Sequence, residues 1–92
     1  MAIARIIETG IAPGVYDQMR EVLEIGSTPP PGAAFHVAAI GEDGNVRIAE
    51  VWDSREQAEA WSEKVASARE EAGLGENPPS IEYLEVHNII QR

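Results

Sequence analysis

Phe35-His36-Val37-Ala38-Ala39-Ile40, then Gly41-Glu42-Asp43-Gly44-Asn45, then Val46-Arg47-Ile48-Ala49-Glu50-Val51-Trp52 and Asp53-Ser54: this stretch reads as a hairpin that feeds directly into a helix. Two registers compete for it. A two-residue Asp43-Gly44 turn would set Ile40 opposite Arg47. A three-residue loop, with Glu42-Asp43 in a type I turn and Gly44 left-handed, would set Ile40 opposite Val46. The second register is preferred because it matches apolar with apolar. It also places His36 opposite Glu50 on one sheet face, with Trp52 next along. The first register separates His36 from Glu50.

Downstream, Ser54 followed three residues later by Gln57 is a capping-box signal. Ala58, Trp61, Val65, Ala68 and Ala72 then recur at helical spacing, and Gly73 is the expected left-handed stop. A loop rich in Gly, Asn and Pro leads to a last strand predicted from Ile81 to Ile90. Its alternation sets Ile81, Tyr83, Glu85, His87 and Ile89 on one face.

Upstream, Ser27-Thr28-Pro29-Pro30-Pro31-Gly32 is a stiff spacer, because consecutive prolines fix φ and remove donors. A helix is predicted from about Val15 to Ile25, with Val15, Met19, Val22 and Leu23 as its apolar stripe and Gly26 as its stop. A first strand runs from Ala2 to Glu8, with Ile3, Arg5 and Ile7 on one face and Ala4, Ile6 and Glu8 on the other. The order is β-α-β-β-α-β, the split arrangement of ferredoxin-like α+β domains. Right-handed crossovers put both helices on one face of a four-stranded antiparallel sheet. The other face is left bare and apolar, which predicts a homodimer with sheets face to face.

The chain has 92 residues, so one small domain over 1–92 is expected. Without cysteine it has no disulfide or thiolate metal site. Sixteen acidic residues against seven basic ones give a net charge of −9, which disfavours nucleic acid and anionic membrane surfaces as partners. The N-terminal stretch is too short and polar for a signal peptide, and no apolar run reaches membrane-spanning length, so a cytoplasmic location is expected. Phosphate-cradling glycine loops and nucleophile elbows are absent, which disfavours a nucleotide-dependent enzyme.

His36 and His87 are the two side chains suited to proton transfer near neutral pH, and both fall in predicted strands. Each could equally be a partly buried, hydrogen-bonded histidine. Glu50 is an acid in an apolar strand; opposite His36 it could orient the ring, or merely brace the hairpin. His36, Glu50 and His87 could also form a two-histidine, one-carboxylate metal set, although no motif spacing supports one. Trp52 and Tyr83 are candidate walls of a flat aromatic pocket, whereas Trp61, on the apolar helix stripe, reads as core.

The run Glu50-Val51-Trp52-Asp53-Ser54-Arg55-Glu56-Gln57-Ala58 resembles the Glu-x-Trp-x-Ser-x-Glu run of the dimeric α+β barrel superfamily, in its antibiotic-biosynthesis-monooxygenase-like branch. Pro31-Gly32-Ala33-Ala34-Phe35-His36, Val86-His87-Asn88 and Tyr16-Asp17 fit small proteins of that kind. The resemblance implies a homodimer and a small cofactor-independent monooxygenase, or a related cyclase or isomerase. Its substrate would be an aromatic or polyketide-like molecule, and no metal or flavin would be required. His36 or His87 would be the base, Glu50 the orienting acid and Trp52 a pocket wall. One departure stands out. Many members of that branch carry a histidine nine residues after the strand-end aromatic, where this chain has Trp61. A non-enzymatic dimeric module that binds a small molecule or builds an assembly is the alternative, and a metal-binding protein a further one.

Overall fold

The computed structural model describes residues 2–91. Its elements are β1 (Ile3–Glu8), α1 (Pro13–Val22), β2 (Ala33–Ile40), β3 (Val46–Trp52), α2 (Arg55–Glu71) and β4 (Ser80–Glu85). The strands form one antiparallel sheet in the order β2-β3-β1-β4, which is the ferredoxin-like order.

The hairpin adopts the three-residue loop. Ile40 pairs with Val46, and His36 pairs with Glu50. The Gly44 amide donates to Gly41 O at 2.9 Å, closing the turn, and Gly44 takes φ +83°. A left-handed backbone here is what a glycine tolerates at no steric cost. Arg5 of β1 pairs with Glu50 from the other side, and Tyr83 of β4 pairs with Arg5. One row across the sheet therefore reads His36, Glu50, Arg5, Tyr83, all projecting toward the helices.

Ser54 caps α2 by accepting from the Gln57 amide, and Gly73 ends it at φ +80°. The close is a Schellman pair: Leu74 N donates to Arg69 O at 2.8 Å and Gly73 N to Glu70 O at 3.0 Å. α1 departs from expectation at both ends. It starts at Pro13, whose missing N–H costs nothing at a first helical position. It stops at Val22, not Ile25, because Glu24 turns left-handed at φ +58° and Ile25 N donates back to Arg20 O at 2.9 Å. Glu24 thus does the work expected of Gly26, and Val22 points outward at 63% exposure instead of joining the apolar stripe.

β4 is likewise shorter than expected. It ends at Glu85, opposite Ile3, the first residue of β1, with one further bond from Val86 N to Ala2 O at 3.3 Å beyond it. His87 therefore lies beyond the sheet and is exposed. Ile11, Met19 and Ala68 form a small core beneath α1 and α2, with Val15, Tyr16, Leu23, Val65 and Leu74 packed against it. The opposite sheet face has no covering layer: Ile6, Phe35, Val37 and Leu84 are 36–46% exposed.

Candidate active site

Glu50 is the centre of the helix-facing row. It is 2% exposed, and both of its carboxylate oxygens are engaged. Its Oε1 accepts from Arg5 Nη2 at 2.7 Å, Arg5 Nε at 3.0 Å and Trp52 Nε1 at 2.9 Å. Its Oε2 accepts from His36 Nδ1 at 2.8 Å. Burial alone would raise the Glu50 carboxyl, but hydrogen bonds from His36, Trp52 and Arg5, with the Arg5 charge, outweigh it and hold the group below its ordinary value.

Arg5 is itself 2% exposed. Its Nη1 donates to Ala58 O at 3.2 Å, to Ser62 Oγ, and at 3.4 Å to Tyr83 Oη. The Glu50–Arg5 pair therefore meets the condition under which a buried ion pair is tolerated, namely that its other polar atoms also find partners.

His36 completes a chain outward. With Nδ1–H given to Glu50, Nε2 of the neutral ring is left as an acceptor, and the Tyr16 hydroxyl donates to it at 2.6 Å. The two rings stack with centroids 6.1 Å apart. Burial raises the Tyr16 phenol above its ordinary 10.0; Arg20 opposes this, and the charges of Glu50 and Asp17 add to it. Tyr16 is thus kept as an O–H donor at neutral pH.

Tyr16, His36 and Glu50 border a cavity of about 290 Å³ between the helix-facing side of the sheet and the two helices. Its walls are mainly apolar, with Ile7, Ile48 and Ile81 from the sheet and Met19 and Val65 from the helices. This is near the small end of the range for organic-ligand sites.

The structure brings together His36, Glu50 and Trp52, but it reverses the roles of the two tryptophans. Trp52 is fully buried and holds Glu50, so it is no pocket wall. Trp61 lines the cavity, at the helix position where the resembling branch carries a histidine. Tyr83 sits under Arg5 and stacks on Arg55, whose guanidinium is 4.0 Å from its ring, outside the cavity.

His87 does not join them. β2 and β4 occupy opposite edges of the sheet, three strand spacings or about 14 Å apart. That separation rules out the two-histidine, one-carboxylate set within one chain, and His87 does not line the cavity that His36 and Glu50 border. Among the described residues no group of three His, Asp or Glu is placed to hold a metal ion. Sequence reasoning missed Arg5 and Tyr16 as site residues. Arg5 had one signal, a lone cation on the apolar face of a strand; Tyr16 was seen only in a resemblance, because its partner lies twenty residues away in another element.

The Glu50 network predicts a pH response. A carboxyl lowered in the folded state contributes stability that is fully present above the unfolded value of 4.5 and is lost as pH falls through the folded value. The melting temperature should therefore drop more steeply as pH falls below 4.5 in the wild type than in Glu50→Gln. Equal slopes in calorimetry would show that Glu50 does not couple folding to protons.

No known family profile matches the chain, and no curated protein matches it. Solved structures share its fold. A candidate antibiotic biosynthesis monooxygenase from Deinococcus radiodurans superimposes with TM-score 0.66 at 15% identity, covering 100% of this chain and 98% of that one. A monooxygenase of Streptomyces coelicolor, in complex with the ligand nanaomycin D, gives TM-score 0.59 at 16% identity over 99% and 91% of the two chains. A point mutant of SnoaB from Streptomyces nogalater, a cofactor-independent oxygenase, gives 0.53 at 13% identity over 99% and 96%.

Proposed function

We propose that this protein is a cofactor-independent monooxygenase-type enzyme that removes a proton from an activated aromatic small molecule held in the cavity. The observation that carries the reading is the continuous chain Tyr16–His36–Glu50, with bonds of 2.6 and 2.8 Å, opening on an apolar cavity from a buried, charge-paired carboxylate. The fold shared with the Streptomyces oxygenases supports the same reaction class.

Tyr16 faces the substrate. Its oxygen accepts the substrate proton while its own O–H proton passes to His36 Nε2. Glu50 fixes the ring orientation and stabilises the imidazolium that forms, and Arg5 and Trp52 keep Glu50 ionised and in place. The electron pair left on the substrate carbon is delocalised into the aromatic system. It reduces molecular oxygen in one-electron steps. For an activated methylene, one oxygen atom ends in a new ketone and the other leaves as water with the two hydrogens lost from carbon. The substrate is the reductant and oxygen the oxidant, so the balance requires no flavin or metal.

Oxygen uptake against a panel of anthrones and hydroquinones tests the reading. His36→Ala should lower kcat about a hundredfold or more, within the range for general acid–base groups, and Tyr16→Phe should also lower it. His87→Ala should leave the rate unchanged. Unaltered turnover in His36→Ala, with the wild-type fold retained by circular dichroism, would rule out this proton path.

A further inference from the structure

The charge of the cavity is opposite to that of the protein. The chain carries only seven basic residues at a net charge of −9. Three of the seven, Arg5, Arg20 and Arg69, line this one cavity, against one glutamate, Glu50. Arg5 is matched by Glu50 at 2.7 Å, and Arg20 lies 3.9 Å from Asp17. Arg69 has no carboxylate partner among the described residues.

Arg69 is nevertheless 4% exposed. Its two hydrogen bonds both leave from Nη2, to Thr9 O at 3.3 Å and Asn77 O at 2.5 Å. Those bonds clamp the guanidinium in place and leave Nε and Nη1 without a partner among the described residues. A cation taken out of water with no counter-charge is costly. A clamped guanidinium presents a planar fork suited to a carboxylate.

The position along the sheet sets a length. Arg69 is anchored at Thr9, four residues along the β1 chain from Arg5 in the His36–Glu50 row, or roughly 13 Å. An occupant that reaches both ends is an elongated molecule with its acid at one end of the long axis.

We infer that the cavity takes an aromatic carboxylic acid, with Arg69 binding the carboxylate and the reacting end of the rings lying against Tyr16 and His36. The inference rests on the proposed function in treating this cavity as the substrate site. It adds the chemical class of the substrate and names Arg69 as the residue that selects it.

Binding at equilibrium separates the two readings, because it requires no turnover. The probes are an anthracene carboxylate, acid at the end of the long axis, and the matching carboxamide. Calorimetry should show the carboxylate binding the wild type about tenfold or more tighter than the amide. Arg69→Met should abolish that preference while leaving amide binding in place. Equal affinities in the wild type, no binding of either probe, or a preference that survives in Arg69→Met would each overturn the assignment.

Arg69→Met releases two carbonyls and could fail to fold, so a second measurement uses the wild type alone. In nitrogen-labelled protein the Nε–H resonance of Arg69, one of six arginines, should shift on adding the carboxylate and not the amide. No shift would overturn the inference equally. Carboxylate-selective binding with no oxygen uptake from the anthrones and hydroquinones would leave this inference standing and remove the monooxygenase reading. Turnover with no acid preference would do the reverse.

Discussion

Glu50→Ala should cost the folded chain about 3–5 kcal/mol, the usual penalty for removing one partner of a buried ion pair. The loss is large because it is not confined to one bond. Arg5, at 2% exposure, would keep its charge with only neutral acceptors left, and the Trp52 indole N–H would lose its acceptor in a fully buried position. Small domains have only about 5–15 kcal/mol of net stability, so the variant should be partly unfolded at ambient temperature. Urea titration at neutral pH measures the change. The companion Arg5→Met with Glu50→Leu removes both charges together, and it should recover most of the stability because no uncompensated ion remains. If the single variant is as stable as the wild type, the buried pair is not what holds the sheet row together.

The second large effect is expected on the bare face of the sheet. Ile6, Val37 and Leu84 stand 41–46% exposed there, on the side away from both helices. An antiparallel sheet that faced water would alternate apolar with polar more cleanly. Two copies with these faces together would make one self-complementary contact, in the class of obligate interfaces of roughly 2,000 Å² or more. The protein should therefore sediment with the mass of two chains at micromolar concentration, and its melting temperature should rise with concentration. Val37→Glu would place like charges across the two-fold axis; it should convert the species to one chain and lower the melting temperature sharply. A well-folded wild-type species with the mass of one chain would contradict the dimer.

The hairpin register and the start of α2 were legible in the sequence because each rests on local chemistry. Ile40 against Val46 is a matching of neighbours, and Ser54 with Gln57 is a cap built within four residues. With that register, His36 against Glu50 followed at once. What depended on the length of the edge strand was not legible. The alternation that puts His87 on the same face as Tyr83 is sound arithmetic, but β1 ends first and β4 stops with it.

The tryptophans were misread for a related reason. Periodicity says which face of an element a residue occupies, not how far apart the facing layers stand. The gap between sheet and helices closes over Trp52 and opens beside Trp61. Arg5 was obscured because a lone arginine between isoleucines reads as tolerated polarity until its carboxylate appears on the neighbouring strand.

α1 buries a single side chain, Met19, and its N-cap, Ala12, supplies no side-chain acceptor. A ten-residue helix so lightly held can detach from the rest of the chain at a free-energy cost well below that of global unfolding. Amide hydrogen exchange in α1 should then run through sub-global opening, while the amides of the central strands β1 and β3 await complete unfolding. Because α1 carries Tyr16 and roofs the cavity, the same excursion is a path for a ligand to pass in and out. Occupancy of the cavity would slow exchange in α1 selectively, so the protection of one short helix would report whether the site is filled.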